Sequence, residues 1–225
     1  MKRALYAAAG ILALTIVQAP PAVSFPIGVS ANGAIGYGYY SMGDLNSHLN
    51  IVRQTRNIKL DGVGSGVNFK IEGRLWFFNQ IALSGGYEHY WAESVSEGSS
   101  TTLSFKVPAD VYNIGAVVTV LRLENTIDLC IGVNRSSAEA VFGTNEFIDR
   151  WLAEFKGKKA GYELYGEIHT NFVNPIEVGL QIGYRGLKID SMRDKRGDEG
   201  LFDDGAKITI DYSGAFFYLT TAIRI

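Results

Sequence analysis

The charged residues that could carry chemistry in this chain stand at strand spacing. Lys70, Glu72 and Arg74 follow one another at every second position, and Glu88, Asp128, Glu163, Glu167, Glu177, Arg185 and Arg224 recur in later segments among apolar neighbours. A spacing of two puts side chains on one face of a β-strand. Opposed charges gathered on such faces either pair into a salt-bridged plug or line a narrow polar path. Their acidic excess would make a path prefer cations.

Other candidates are thinner. His169 sits in Glu167-Ile168-His169-Thr170-Asn171 with no serine two residues on, while His48 and His89 are isolated. No run has metal-ligand spacing, so the reading is of a protein that is not an enzyme and needs no cofactor. Gly33, Gly36 and Gly38 lie in a strand pattern with no helix behind them, which rules out a nucleotide-binding loop. Cys130 is the only cysteine, so it has no intramolecular disulfide partner and is expected as a small buried residue on a strand.

The elements that must position these charges are alternating segments. From Val67 to Phe77, one face carries Val67, Phe69, Ile71, Leu75 and Phe77, and the other carries Asn68, Lys70, Glu72 and Arg74. Strict period two marks a strand with one apolar and one polar face. The pattern recurs over Pro26 to Tyr40, Ile81 to Trp91, Val111 to Leu121, Ile127 to Asn134, Gly161 to Thr170, Ile176 to Tyr184 and Lys207 to Ile225. The last segment changes parity near Ser213-Gly214, where a β-bulge is expected. Eight strands result. Tight links at Phe78-Asn79-Gln80, Glu124-Asn125 and Asn171 to Pro175 alternate with long ones at Ser41 to Ser65, Glu93 to Ser104, Ser136 to Ala160 and Asp190 to Ala206.

Two of the long links read as helical. After Asp44 as N-cap, Leu45, Leu49 and Val52 recur at helical spacing. Between Thr144 and Lys159, the residues Phe147, Ile148, Trp151, Leu152 and Phe155 form an apolar face opposite Glu146, Asp149, Arg150 and Glu154. Such a helix would lie on a membrane surface, grip a partner, or pack over the rim of the strands. The stretch Ser191 to Asp204 mixes both charges and is expected to be solvated.

Composition sets the class. The 225 residues are 47% hydrophobic and 20% charged, with 26 glycines and 12% aromatics, which suits a strand-rich folded domain. The net charge is −2, and without a basic surplus nucleic acid is not expected as a partner. Residues 1–24 read as a cleavable signal peptide: Lys2 and Arg3, then an apolar run from Ala4 to Ala19, then Ala22-Val23-Ser24 before Phe25. Residues 25–225 form one domain.

Alternation alone leaves two architectures: a membrane barrel with an apolar exterior, and a soluble lipocalin-like barrel with an apolar interior. Charges of both signs on the polar face favour the first. So do aromatics near strand ends: Tyr37, Tyr39, Trp76, Phe77, Phe78, Tyr87, Tyr90, Trp91, Phe172 and Tyr184.

On this pattern the chain resembles the small eight-stranded outer-membrane barrels of the OmpX, OmpW and OmpA-transmembrane type. The resemblance implies an all-β, eight-stranded, antiparallel up-and-down transmembrane barrel with short helices in external loops. It implies an outer-membrane location, contact with outer-membrane lipid or lipopolysaccharide, and handling by the outer-membrane assembly machinery. Those families usually end in Phe, whereas this chain ends in Ile225. The expected role is structural, or surface interaction through the external loops. A narrow channel or transporter for small or apolar molecules is the alternative, with a lipid A-modifying enzyme or a soluble binder behind it.

Overall fold

The computed structural model describes residues 27–56, 59–97, 103–123, 127–146, 151–173, 175–202 and 205–224. The expected signal peptide lies outside them, as do Glu124 and Asn125 of one expected turn. Eight long strands build the domain: β1 (Ile27–Tyr39), β2 (Ser65–Phe77), β3 (Ile81–Trp91), β4 (Ala109–Leu123), β5 (Ile127–Glu146), β6 (Trp151–Val173), β7 (Ile176–Gly186) and β8 (Gly214–Arg224). Each pairs antiparallel with the next, and β8 pairs back onto β1. The sheet is therefore a closed up-and-down barrel with no free edge.

Register fixes its size. From Ile35 on β1, partners through β2 to β5 lead to Lys158 on β6, while partners through β8 and β7 lead to Ile168. The ring closes with this ten-residue offset, which tilts the strands by about 40° and leaves an interior that side chains fill.

The pleat sorts the side chains as the alternation expects. On β2, Asn68, Lys70, Glu72 and Arg74 are buried, and Val67, Phe69, Ile71 and Leu75 are exposed. The apolar residues thus face out. The soluble lipocalin-like reading, which needs the opposite sorting, fails on this geometry.

Several local expectations are corrected. The amphipathic helix expected over 144–159 is not seen in the described residues: β5 runs on to Glu146 and β6 starts at Trp151, paired in one register as far as Thr144↔Ala153 and shifted at Asn145↔Trp151. Phe147 and Ile148 lie outside the described residues, as do the side chains of Trp151 and Leu152. Phe155 sits directly across from Phe142, and the rings stack with centroids 6.4 Å apart. Cross-strand pairing of the described residues keeps Phe155 against the core, so tertiary context overrides the helical period. The expected bulge near Ser213-Gly214 is instead a break in the strand. Ile210–Asp211 pairs with Lys188–Ile189 in a separate small sheet, and β8 starts afresh at Gly214. A true register shift occurs between Thr119 and Leu121 on β4.

The helix after Asp44 is present as α1 (Gly43–Arg56), with Asp44 in its first turn and Leu45 and Leu49 fully packed. It belongs to an apolar cap over the long-loop end of the barrel. The cap also takes in Met42, Phe105, Phe142, Met192, Phe202 and Ile208. Met192 and Phe202 anchor the Ser191 to Asp204 stretch into that core, so it is only partly solvated.

Candidate functional site

The candidate site is the lumen, and it is built in layers. The layer nearest the cap centres on Arg185 of β7. Its guanidinium bonds Glu88 of β3 at 2.6 Å, Glu163 of β6 at 3.1 Å and the Tyr218 hydroxyl of β8 at 3.1 Å. Tyr218 also donates to Glu88. Asn134 bonds Glu163 at 3.2 Å and Asn113 bonds Glu88 at 3.3 Å. The rings of Tyr90 and Phe216 flank the guanidinium, with centroids 4.0 and 4.9 Å away. A buried cation bonded to two carboxylates with π-faces beside it has its charge compensated.

The layer below centres on Arg74 of β2. It grips Glu167 of β6 with two hydrogen bonds, 2.6 and 2.7 Å long, and bonds Glu72 at 2.5 Å. Lys70 lies 3.1 Å from Glu72 and 5.0 Å from the Tyr165 ring centre. His169 lies against Glu167. A void of about 10 Å³ remains beside Lys70, Glu72, Arg74, Glu167, His169, Gln181 and Thr220. That is the space of a single water. Among the described residues Gln181 Nε2 and Thr220 Oγ1 have no hydrogen-bond partner, a demand one water meets.

Seven of the ten expected lumen charges therefore meet in two stacked layers: Lys70, Glu72, Arg74, Glu88, Glu163, Glu167 and Arg185. The other three, Asp128, Glu177 and Arg224, form a separate half-buried group at the short-turn end. Arg224 lies 3.6 Å from Asp128 and 3.9 Å from Glu177, and its guanidinium stacks on Trp76 at 4.3 Å. Arg122, which sequence reading passed over, bonds Asp128 with two contacts of 2.6 Å.

Two aromatics expected in the outer girdle turn inward instead. Trp76 donates its indole N–H to Ser30 at 3.1 Å, and Tyr90 packs on Arg185. Both share strand parity with the lumen charges, Trp76 with Arg74 and Tyr90 with Glu88, which is the signal that places them inside.

The tyrosines inside the barrel need glycine neighbours. A Cβ on Gly132 would run into the Tyr165 ring, and one on Gly36 would run into Tyr218. Flat rings over glycine let two large side chains share a narrow lumen with the ion pairs.

Above the charge layers, Tyr40, Tyr90 and Tyr212 pack ring to ring with centroids 5.4 to 6.2 Å apart. Tyr212 donates to the Val107 carbonyl at 2.7 Å, and Tyr40 donates to Asn68. This tier joins the polar plug to the apolar cap. Among the described residues no group of three His, Cys, Asp or Glu side chains converges as a metal site. Cys130 is buried, with Thr119 Oγ1 at 3.5 Å.

No protein-family model and no curated protein sequence matches the chain. Among solved structures it is similar to Ail, the attachment invasion locus protein of Yersinia pestis, in complex with the heparin analogue sucrose octasulfate. That match has 11% identity over 90% of this chain and 100% of that chain, with a TM-score of 0.44. It is also similar to Neisserial surface protein A, with 10% identity over 90% of this chain and 99% of that one, TM-score 0.44. A third is the outer membrane protein OprG from Pseudomonas aeruginosa, with 8% identity over 88% and 95%, TM-score 0.46.

Proposed function

We propose that the chain is an outer-membrane barrel whose lumen is a structural plug, and that it works through the capped long-loop end it presents outside the membrane. The observation that carries this is the pairing of an apolar exterior with a filled interior. Outward positions on β5 read Ile127, Leu129, Ile131 and Val133, all exposed. At about 3.3 Å per residue and the tilt above, the run from Ile127 to Arg135 spans about 20 Å. That approaches the ~25 Å apolar band of outer-membrane barrels. An exposed apolar surface of this extent is stable in lipid and not in water. Inside, two ion-pair layers and a tyrosine tier occupy the lumen, which supports a plug over a conducting path.

The cap is the interaction platform. Lys188, Asp190, Arg193, Lys195, Glu199 and Lys207 crown it with mixed charge, held by exposed pairs such as Lys159–Asp190 at 2.9 Å and Lys207–Glu199 at 2.6 Å. No enzymatic role is proposed.

Two measurements test this reading. Purified protein in SDS should migrate differently before and after boiling, and planar bilayers containing it should stay silent. A detergent-free soluble protein with no mobility shift would sink the membrane reading. Reproducible unitary currents would sink the plug and restore the channel alternative.

A further inference from the structure

Arg135 is out of place in its surroundings. It stands on the outward face of β5, exposed, with Val133 next below it on that face. Its register partners are Ile114 on β4 and Tyr162 on β6, 70% and 56% exposed. The neighbouring outward cation is neutralised: Lys158 by Glu139 at 2.7 Å. Among the described residues Arg135 has no hydrogen-bond or ion-pair partner.

Its height gives the position meaning. The ten-residue closing offset is shared by eight strands, so a level of constant height drifts by about 1.25 residues per strand. Followed round the barrel, the outward positions within about one residue of the level of Arg135 include Phe69, Tyr87, Tyr112, Tyr184 and Phe217, with Ile35 and Tyr37 on either side of it on β1 and Leu164 just below and Tyr162 just above it on β6. Five of the seven other strands thus place an aromatic at this level, and Tyr37 and Tyr162 stand about one residue above it. Such a ring marks the boundary between hydrocarbon and headgroups. Arg135 is the guanidinium set into it. Tyr162 and Tyr112 bracket it from the flanking strands, and the apolar face of β4–β6 runs below.

From this placement we infer that Arg135 is a lipid headgroup site: it binds the phosphate of an outer-leaflet lipid whose acyl chains lie along Ile114, Val133 and Leu164. A guanidinium at the edge of hydrocarbon is costly without a counter-charge, and a phosphate there offers two parallel hydrogen bonds. Flanking tyrosine hydroxyls lie at the depth of the same headgroup. The inference rests on the membrane reading above and adds a specific ligand and place to it.

The test is native mass spectrometry of the protein released from neutral detergent micelles containing diphosphoryl lipid A or the same lipid chemically dephosphorylated. Wild type is expected to retain one phosphorylated lipid per barrel, about five-fold above the dephosphorylated form, as one surface cation supports. Arg135→Gln should lose that preference and Arg135→Lys should keep part of it. Heat-modifiable migration of each variant reports the barrel independently. Equal retention by wild type and Arg135→Gln, both heat-modifiable, overturns the headgroup site and leaves the membrane reading intact. So does a wild type that retains neither lipid. Loss of heat-modifiability in wild type itself would overturn both.

Discussion

Arg74 and Glu167 stand on diametrically opposed strands, β2 and β6, and are joined by two parallel hydrogen bonds across the full width of the lumen. Arg185 and Glu88 span the lumen one layer up through a single hydrogen bond, between β7 and β3. The two bonds act as crossed struts. A barrel held only by neighbouring strands would have a compressible interior, and these pairs tie opposite walls together.

Breaking one strut should be more damaging than removing it whole. Arg74→Met leaves Glu167 and Glu72 short of a counter-charge in a buried site, and a loss of ~3–5 kcal/mol is expected. Glu167→Gln combined with Arg74→Met should recover a substantial part of that loss. Urea unfolding in detergent, followed by gel mobility, measures both. Additive losses would show that the pair does not act as a unit.

Glycines inside and outside the barrel should respond oppositely to the same change. Gly132→Ala drives a methyl group into the Tyr165 ring and should cost ~1–3 kcal/mol. Gly73→Ala points outward, where the nearest atom is 4.0 Å away, and should be close to neutral. The comparison is made by the temperature at which each variant loses its folded gel mobility.

The cap and the plug should fail separately. Leu45→Ala or Leu49→Ala removes a fully packed side chain from α1 and should cost ~2–5 kcal/mol locally. The expected readout is faster proteolytic nicking of the residues near α1, with barrel mobility unchanged and bilayers still silent. Currents appearing on cap loosening alone would show that the ion-pair layers do not seal the lumen.

A pH effect is expected at the rim. Lys159 donates to Asp190 at 2.9 and 3.1 Å, and that hydrogen bond holds the carboxyl below the usual aspartate range. A depressed folded value means the contribution is present above the unfolded pKa and is lost as pH falls through the folded one. The pair is half exposed, so its worth is well under ~1 kcal/mol after solvent screening. Lys159→Ala should move the Asp190 titration, followed by carboxyl NMR, up towards the ordinary range without changing barrel stability.

The sequence by itself determined the parity of the strands, and with it most of the barrel. Alternation is local: the pleat sends residues i and i+2 to the same side whatever else the chain does. Lys70, Glu72 and Arg74 were therefore legible as one inward row, as were the number of strands and the packed face of α1. Trp76 and Tyr90, read as girdle residues from their places near strand ends, share this inward parity, and parity outranks the tendency of aromatics to gather at strand ends.

Tertiary structure alone decided which charge meets which. Whether Arg74 finds Glu167 or Glu163 depends on the ten-residue closing offset, a sum over eight registers that no single segment encodes. The same sum sets Arg135 level with an aromatic ring contributed by distant segments. The hairpin of β5 and β6 followed suit. Phe155 fits a helical stripe and a strand face equally well on local spacing, and it is Phe142, on a neighbouring strand, that selects the strand.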